Sequence, residues 1–361
     1  MGNTQTQANT LQANTLQTNP LQSKPKDLEL AIENDNLKKV KSLLEEGIQT
    51  NNVDTNGRTP LYIASSLGNN SIVKLLLDNG ANPNKPNNYK ITPLGIASRF
   101  GYVDVVKSLL DKKADPNNAD KDENTPLYIA SSLGNDSIVK LLLDNGADPN
   151  KANKDAVAPI HMAANYGHVD VVKLLLQNGA DANNVDNKGR TPLFMASLFS
   201  HSPVVDFLLQ KGADPNIGTI QTETTPLIAV SRLPVTENTK EIIFNLLKAG
   251  ADFNKTNKDN QSALFLQPKL IEDYTLLLGL SPLIPKEFTT KDNIEVGPEN
   301  PSVPVYHHLD SELLAKELAS FRGTAVFDNN RQKHYEGGKR KTNKRRKTNN
   351  KKRKPIQNKF K

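Results

Sequence analysis

Residues 59–85 read TPLYIASSLGNNSIVKLLLDNGANPNK, and residues 125–151 read TPLYIASSLGNDSIVKLLLDNGADPNK. The two segments differ only at Asn70/Asp136 and Asn82/Asp148. Related segments start at Thr92, Ala158, Thr191 and Thr225, with a degenerate one from Lys26 and a truncated one from Ser262. A fixed period of about 33 residues is typical of repeat proteins, in which each unit stacks on its neighbours.

Each unit is predicted to contain two helices. The Thr59 hydroxyl can cap the first helix, and Pro60 suits the first helical position, where no backbone donor is needed. Gly68 ends this helix, and Gly80 stands where a helix C-terminus adopts left-handed backbone. The second helix is predicted from an apolar stripe at helical spacing, formed by Ile72, Val73, Leu75 and Leu76. One unit alone cannot bury that stripe, so neighbouring units must stack.

The unit length, the TPL start and the GAD-N end together resemble the ankyrin repeat family, over about residues 26–282. The resemblance implies an all-α solenoid of stacked helix-turn-helix units with projecting β-hairpin-like loops. It implies six near-full repeats between degenerate end units. It also implies a non-enzymatic, monomeric scaffold that binds a protein partner on its concave face.

The resemblance implies that partner contacts come from the loop tips and the exposed side of each first helix. One position at the end of that helix recurs once in every unit and is apolar or aromatic in five of them. With neighbouring and loop-tip residues, the resemblance gives these candidate partner-binding residues: Leu67, Tyr89, Arg99, Phe100, Asp122, Leu133, Asn165, Tyr166 and Phe199. The alternative interpretation is that the apolar residues pack half-buried under adjacent loops.

Three departures from the repeat pattern lead to local predictions. Lys113 replaces the turn glycine of its unit, which predicts a loosened turn with left-handed backbone. About four extra residues within Leu233–Lys240 are predicted to bulge between the two helices of one unit. His161 is the only histidine at its repeat position, so hydrogen bonds between repeats from this position are not expected throughout the chain.

The sequence contains no recognisable catalytic, cofactor-binding or metal-binding motif. The absence of cysteine excludes disulfides, thiolate zinc sites and cysteine nucleophiles. No GxxxxGK[ST], HExxH or GxSxG motif is present. His161 and His168 are interpreted as structural, His307 and His308 as a surface pair, and the acids of the GAD-N turns as turn formers. We therefore expect no enzyme, no cofactor and no metal site.

Residues 1–25 are rich in Gln, Asn and Thr and are predicted to be a flexible low-complexity arm. The opening MGNTQT matches the N-myristoylation pattern at Gly2, although so short a pattern also arises by chance. Membrane association is expected only if Gly2 is modified. Because the chain has neither a secretory signal nor an apolar run long enough to cross a bilayer, it is predicted to be intracellular, cytoplasmic or nuclear.

Residues 283–336 are predicted to be a linker with one short helix near 310–321 (DSELLAKELASF). Leu313, Leu314 and Leu318 are predicted to lie on one side of that helix. Two interpretations remain open: the helix docks on the last repeat, or it binds a partner.

Residues 337–361 are predicted to be a disordered basic tail. Residues 331–361 have a net charge of +14, whereas residues 1–330 have a net charge of −7. The charge is concentrated in Lys339, Arg340, Lys341, Lys344, Arg345, Arg346, Lys347, Lys351, Lys352, Arg353 and Lys354. This pattern fits an import signal read by an importin, nucleic-acid binding without sequence preference, anionic lipid binding or a solubilising tail. The alternative function is therefore a nucleic-acid-associated or nuclear protein that binds through its tail.

Overall fold

The computed structural model describes residues 20–280, with side chains described from residue 25 onward. Most of the predicted arm, Gly2, the predicted linker with its helix, and the basic tail lie outside the described residues. The first helix begins at Pro20, so it overlaps the end of the stretch predicted as an arm.

Within residues 20–280 the chain forms sixteen helices and no β-strand. They are α1 (Pro20–Glu33), α2 (Leu37–Glu45), α3 (Pro60–Leu67), α4 (Asn70–Asp78), α5 (Pro93–Phe100), α6 (Val103–Asp111), α7 (Pro126–Ser132), α8 (Asp136–Asp144), α9 (Pro159–Asn165), α10 (Val169–Gln177), α11 (Pro192–Leu198), α12 (Ser202–Gln210), α13 (Pro226–Ser231), α14 (Glu237–Lys248), α15 (Ala263–Leu266) and α16 (Pro268–Leu277). None of these helices is long and apolar enough to span a bilayer.

The helices form eight pairs, and each pair is one repeat unit. Every odd-numbered helix contacts the odd-numbered helix of the next unit, from α1 with α3 to α13 with α15. Every even-numbered helix likewise contacts the next even-numbered helix, from α2 with α4 to α14 with α16. The units therefore stack in register as two layers of helices, which confirms the all-α repeat fold.

The threonine caps and first-turn prolines of the first helices are found where the sequence predicted them. The Thr59 hydroxyl accepts a hydrogen bond from the Tyr62 backbone N–H at 3.1 Å, with Pro60 in the first turn. The same cap recurs at Thr92, Thr125, Thr191 and Thr225. In α4 the buried stripe is Ile72, Val73, Leu76 and Leu77. Leu75 was predicted in that stripe but is only half-buried, since Leu77 takes the inward place.

The turn at Lys113 is left-handed, as predicted, with φ +64°. The prediction that it is loosened is wrong. The Lys113 N–H donates to Leu110 O at 2.9 Å, and the Ala114 N–H donates to Leu109 O at 3.0 Å. The glycine turn at Gly80 makes the equivalent bonds at 3.1 and 3.0 Å. Lys113 therefore keeps the hydrogen bonds of the turn. Its only cost is that of a non-glycine residue in left-handed backbone.

The insertion near residue 235 is divided between a loop and a helix. The connection between α13 and α14 lengthens, and α14 has 12 residues whereas α8, like most second helices, has 9. Thr236 caps the added helical residues, because its hydroxyl accepts from the Thr239 N–H at 3.2 Å. The bulge is therefore shorter than expected.

Candidate functional site

The loops between units are closed by a side chain at their base. Asp54 Oδ1 accepts hydrogen bonds from the backbone N–H of Asn56 at 2.9 Å and of Arg58 at 2.8 Å. The same closure recurs at Asn87, Asp120, Asn153, Asp186 and Asn257. Thr219 performs it with a hydroxyl across one extra residue, since the Thr224 N–H donates to Thr219 Oγ1 at 3.2 Å. Such side-chain-to-backbone bonds hold each loop in one conformation.

Neighbouring loop tips are joined by backbone hydrogen bonds. The Asn88 N–H donates to Asn56 O at 3.1 Å, and the Lys121 N–H donates to Tyr89 O at 3.1 Å. Corresponding bonds are Lys154 to Asp122, Asn187 to Asp155, Ile220 to Lys188 and Lys258 to Thr222. The tips therefore form one continuous row along the stack.

The loop before α11 contains a buried ion pair. Arg190 Nε lies 2.7 Å and Arg190 Nη2 2.6 Å from Asp186 Oδ2, and both side chains are buried. Asp54 and Arg58 form the related pair in the loop before α3, in a more exposed setting. Other units have an uncharged residue in place of the arginine.

A second set of candidate residues is the apolar position at the end of the first helix in five units. The side chain of Leu133 is 52% exposed, and those of Leu67 and Tyr166 are also exposed. Phe100 and Phe199 are half-buried. None of the five is in the core, although a core position would be the usual place for such large apolar side chains. We call these five residues the apolar row.

The remaining candidate partner-binding residues lie in different environments. Tyr89 is exposed at its loop tip, with Lys121 Nζ 5.4 Å from the centre of its ring. Asp122 is exposed and lies 3.6 Å from Lys154 Nζ, while Arg99 is half-buried. Asn165 is buried, so the structure does not place its side chain on the exposed face as the prediction required.

His161 lies between two units rather than on the exposed face. Its Nδ1 accepts from the Ala158 N–H at 3.1 Å, at the start of α9, where Ala158 provides no side-chain cap. Its Nε2–H points to Asn184 O and Arg190 O, each at 3.0 Å, in the next unit. Burial is the main factor that lowers the pKa of His161, and the Asp186 carboxylate opposes it. The ring is therefore a neutral structural donor and acceptor.

Other histidines have a similar role. His168 Nε2 lies 3.3 Å from Ser132 O, and His201 Nε2 lies 2.9 Å from Asn165 O, at the end of the preceding unit's first helix. Within residues 20–280 no group of three or more His, Asp or Glu side chains is placed to hold a metal ion.

Sequence reasoning missed a set of asparagines that connect the units. Asn84 Oδ1 accepts from the Asp115 N–H at 2.7 Å, and its Nδ2 donates to Lys113 O at 3.3 Å, both in the next unit. The same double contact is made by Asn51, Asn117, Asn150, Asn183 and Asn216. The signal was present, because each of these asparagines stands four residues after the turn residue of its unit, but it was interpreted only as a turn residue.

Paired helices stacked in register, with one row of rigid loop tips, define a helical-repeat scaffold. The chain belongs to the ankyrin repeat family. The family model for ankyrin repeats (3 copies) matches residues 28–120, 87–153 and 127–219, together more than half of the chain.

A putative ankyrin repeat protein, FPV223 of Fowlpox virus (strain NVSL), is 50% identical over 46 residues. That match spans 13% of this chain and 33% of the relative, so it covers about a third of the relative's length. The structure is similar to the ankyrin repeat domain of Bcl-3, a member of the IkappaB protein family (TM-score 0.54, 27% identity, 61% of this chain and 97% of that one). It is also similar to the human ASB11 ankyrin repeat domain (TM-score 0.52, 30% identity, the same coverage).

Proposed function

We propose that this chain is a non-enzymatic interaction module that binds a protein partner across the loop tips and the apolar row. Ankyrin repeats are generally protein–protein interaction modules. The observation that carries the proposal is the exposure of large side chains at one repeat position in successive units, led by Leu67, Leu133 and Tyr166.

A partner bound over the apolar row would displace water from it. Apolar surface that is exposed in the free protein contributes to binding when a partner covers it, at about 25 cal/mol per Å². Tyrosine and phenylalanine give large contact areas with few rotatable bonds, so they lose little entropy on binding. The hydrogen-bonded loops are already ordered, which lowers the cost of association further.

Polar side chains at the loop tips would supply specificity. Tyr89 and Lys121 form one such pair, and Asp122 and Lys154 form another. These pairs are exposed, so each contributes little to stability. An apolar centre with a polar rim is the usual composition of a protein interface.

The test is affinity capture with the full chain, followed by titration calorimetry with the purified partner. Replacing Leu133 and Tyr166 by alanine should weaken binding at least tenfold. Val103, which is exposed near the start of α6, provides the matched control, and Val103→Ala should leave affinity unchanged. Circular dichroism verifies that each variant is folded. Unchanged affinity in the Leu133/Tyr166 variant would contradict the proposal.

A second function is proposed for the basic tail, because the net charge of +14 in residues 331–361 contrasts with −7 in the rest of the chain. Segments with many Lys and Arg bind nucleic-acid phosphates and release counterions. Replacing the Lys and Arg residues of 339–354 by glutamine in the full chain should abolish binding to duplex DNA or RNA and leave partner capture intact. Binding that persists, or that does not weaken as salt is raised, would contradict it.

A further inference from the structure

One junction between units is bridged by two histidines that point in opposite directions. The Nε2–H of His161, in α9, is shared between Asn184 O and Arg190 O, each at 3.0 Å, in the loop that leads into α11. His201, just before α12, donates from Nε2 to Asn165 O at the end of α9, at 2.9 Å. One ring from each side therefore joins the α9–α10 unit to the α11–α12 unit. We call this contact the histidine junction.

The histidine junction differs from the other junctions that the structure describes. Two junctions earlier, Gly95 and Asn135 occupy the same two repeat positions, so no histidine bridges those units there. Of the six described asparagine bridges, the one at the histidine junction is also the longest, with Asn183 Nδ2 3.5 Å from Gly212 O. The equivalent distance in the other five bridges is 2.8–3.3 Å. The two rings therefore act where the asparagine bridge is weakest.

The hydrogen-bond geometry favours the neutral form of both rings. His161 Nδ1 accepts from the Ala158 N–H at 3.1 Å, and Ala158 is fully buried. A proton added to that Nδ1 would face the N–H donor, so the bond would be lost. His201 Nδ1 lies over the Cα of Gly167, where a built Cβ would meet it at 2.6 Å. A proton added there would point at carbon and not at an acceptor.

The surroundings of the two rings act in the same direction. Burial is the largest cause that lowers the pKa of both His161 and His201, and the bonds to carbonyl oxygens oppose it. Asp186 and Arg190 face His161 and act on its pKa in opposite directions, while His168, across the junction, lowers the pKa of His201. If the junction opens, water reaches both rings and their pKa returns to about 6.5. The open junction then binds protons that the closed one does not, so falling pH favours opening.

We propose that the histidine junction is a pH-sensitive hinge, at which the stack opens locally in mildly acidic solution while the other units stay folded. Each unit of a repeat protein contacts only its neighbours, so one weakened junction uncouples the two parts of the stack. Two rings can shift the opening equilibrium by up to roughly a hundredfold between pH 7.5 and pH 5.5. Opening would also separate Tyr166 from Phe199, the apolar-row residues that follow α9 and α11.

Amide hydrogen exchange in the full chain tests the hinge, with protection expressed relative to the unfolded chain at the same pH. Between pH 7.5 and pH 5.5, protection in α9, in α11 and in the loop before α11 should fall by at least about tenfold. Protection in α5 and α7, which flank the junction of Gly95 and Asn135, should change by less than about threefold. An equal fall in both places would overturn the proposal, because acid would then loosen the whole stack. So would unchanged protection at the histidine junction.

Substitutions that copy other units remove the two rings from the junction. Ala158→Thr with His161→Tyr reproduces the capped pair Thr125 and Tyr128. His201→Asn introduces the asparagine that two other units have at this position. The triple variant should keep the protection of α9 and α11 at pH 5.5 within about threefold of its value at pH 7.5. A triple variant that still loses protection on acidification would overturn the proposal.

His168→Asn is the matched control, because it makes the same substitution at the same repeat position one unit earlier. This variant should still lose protection in α9 and α11 on acidification. If it does not, the two rings of the histidine junction are not the cause of opening. The comparison of two junctions in the natural chain needs no variant, so it decides the question even if the triple variant is unstable.

Discussion

Asn117 and Asp148 belong to successive units, and Asn117 Oδ1 accepts a hydrogen bond from the Asp148 backbone N–H at 2.9 Å. The Asn117 Nδ2 also donates to Gly146 O at 2.9 Å. The Asp148 carboxylate in turn accepts from the Asn150 N–H at 2.8 Å, and Asn150 makes the same double contact with the following unit. Each turn is thus held by the asparagine before it and positions the asparagine after it.

Asn117→Ala should destabilise the protein by about 1–2 kcal/mol, because two hydrogen bonds between units are lost while water still reaches the groups left behind. Urea unfolding followed by circular dichroism measures this. Asn145→Ala is the control, because the Asn145 amide donates to Leu141 O within its own helix region. A loss no greater for Asn117→Ala than for Asn145→Ala would contradict the bridging role.

The sequence predicted the features that depend on neighbouring residues. Thr59, Pro60 and Gly68 are close together in the sequence and mark the start and end of one helix, so the local pattern was sufficient to predict that helix. The contact from Asn117 to Asp148 depends on how two units pack, and a local pattern carries no such distance. The choice between Leu75 and Leu77 failed for a related reason, because the rotation of a helix against its neighbours decides which side chain is buried. The exposure of Leu133 and the burial of Asn165 likewise required the packed structure.

A column of buried serines gives a second prediction. Ser65, Ser98, Ser131, Ser197 and Ser231 occupy one repeat position, are almost fully buried, and have hydroxyls without a hydrogen-bond partner. The equivalent residue in α9 is Ala164, also fully buried. Burying an unpaired hydroxyl costs about 1–3 kcal/mol, and alanine is the better helix former.

Ser131→Ala should therefore stabilise the protein by about 1 kcal/mol, and Ala164→Ser should destabilise it by a similar amount. Thermal and urea unfolding of the two reciprocal variants measure the expected gain and the expected loss of stability. A destabilised Ser131→Ala variant would show that the serine hydroxyl makes a contact that stabilises the fold.

Lys113→Gly should also stabilise the fold. Lys113 has φ +64°, and a non-glycine residue in left-handed backbone costs about 1 kcal/mol. Space is not the constraint, because a Cβ built on Gly80 or Gly146 at the equivalent turns meets no atom within 4 Å. Gly146→Lys is the reciprocal control and should destabilise by a similar amount. Equal stability of Lys113→Gly and the natural chain would mean that glycine's greater freedom in the unfolded chain cancels the gain.

The buried pair Asp186–Arg190 gives a fourth prediction. Arg190→Ile alone leaves the Asp186 carboxylate buried without its cation and should cost about 3 kcal/mol. Asp186→Asn combined with Arg190→Ile recreates the Asn87–Ile91 pair of another unit, in which Asn87 closes the loop without charge. The double variant should recover most of the lost stability. A double-mutant cycle by urea unfolding measures the coupling, and additive losses would contradict it.

Acid sensitivity between pH 7.5 and pH 5 follows from two histidines. Burial is the main cause that lowers the pKa of both His161 and His201 from the ordinary value of 6.5. Asp186 and Arg190 are the charged groups next to His161, and they act in opposite directions. Below about pH 6.5 the unfolded chain takes up protons that the folded chain does not, so the free energy of unfolding falls as pH falls.

Each histidine can change the free energy of unfolding by at most about 1.4 kcal/mol per pH unit in that window. Replacing Ala158 by threonine and His161 by tyrosine gives this unit the cap pair that Thr125 and Tyr128 form naturally, in which Thr125 accepts from the Tyr128 N–H at 3.0 Å. The double variant should lose the part of the pH dependence that His161 causes and keep the part from His201. Urea midpoints at pH 7.5, 6.0 and 5.0 measure the slope for both proteins. Equal pH dependence of the urea midpoint in the two proteins would contradict a role for His161. The His161 ring would then bind protons equally in the folded and unfolded states of the natural protein.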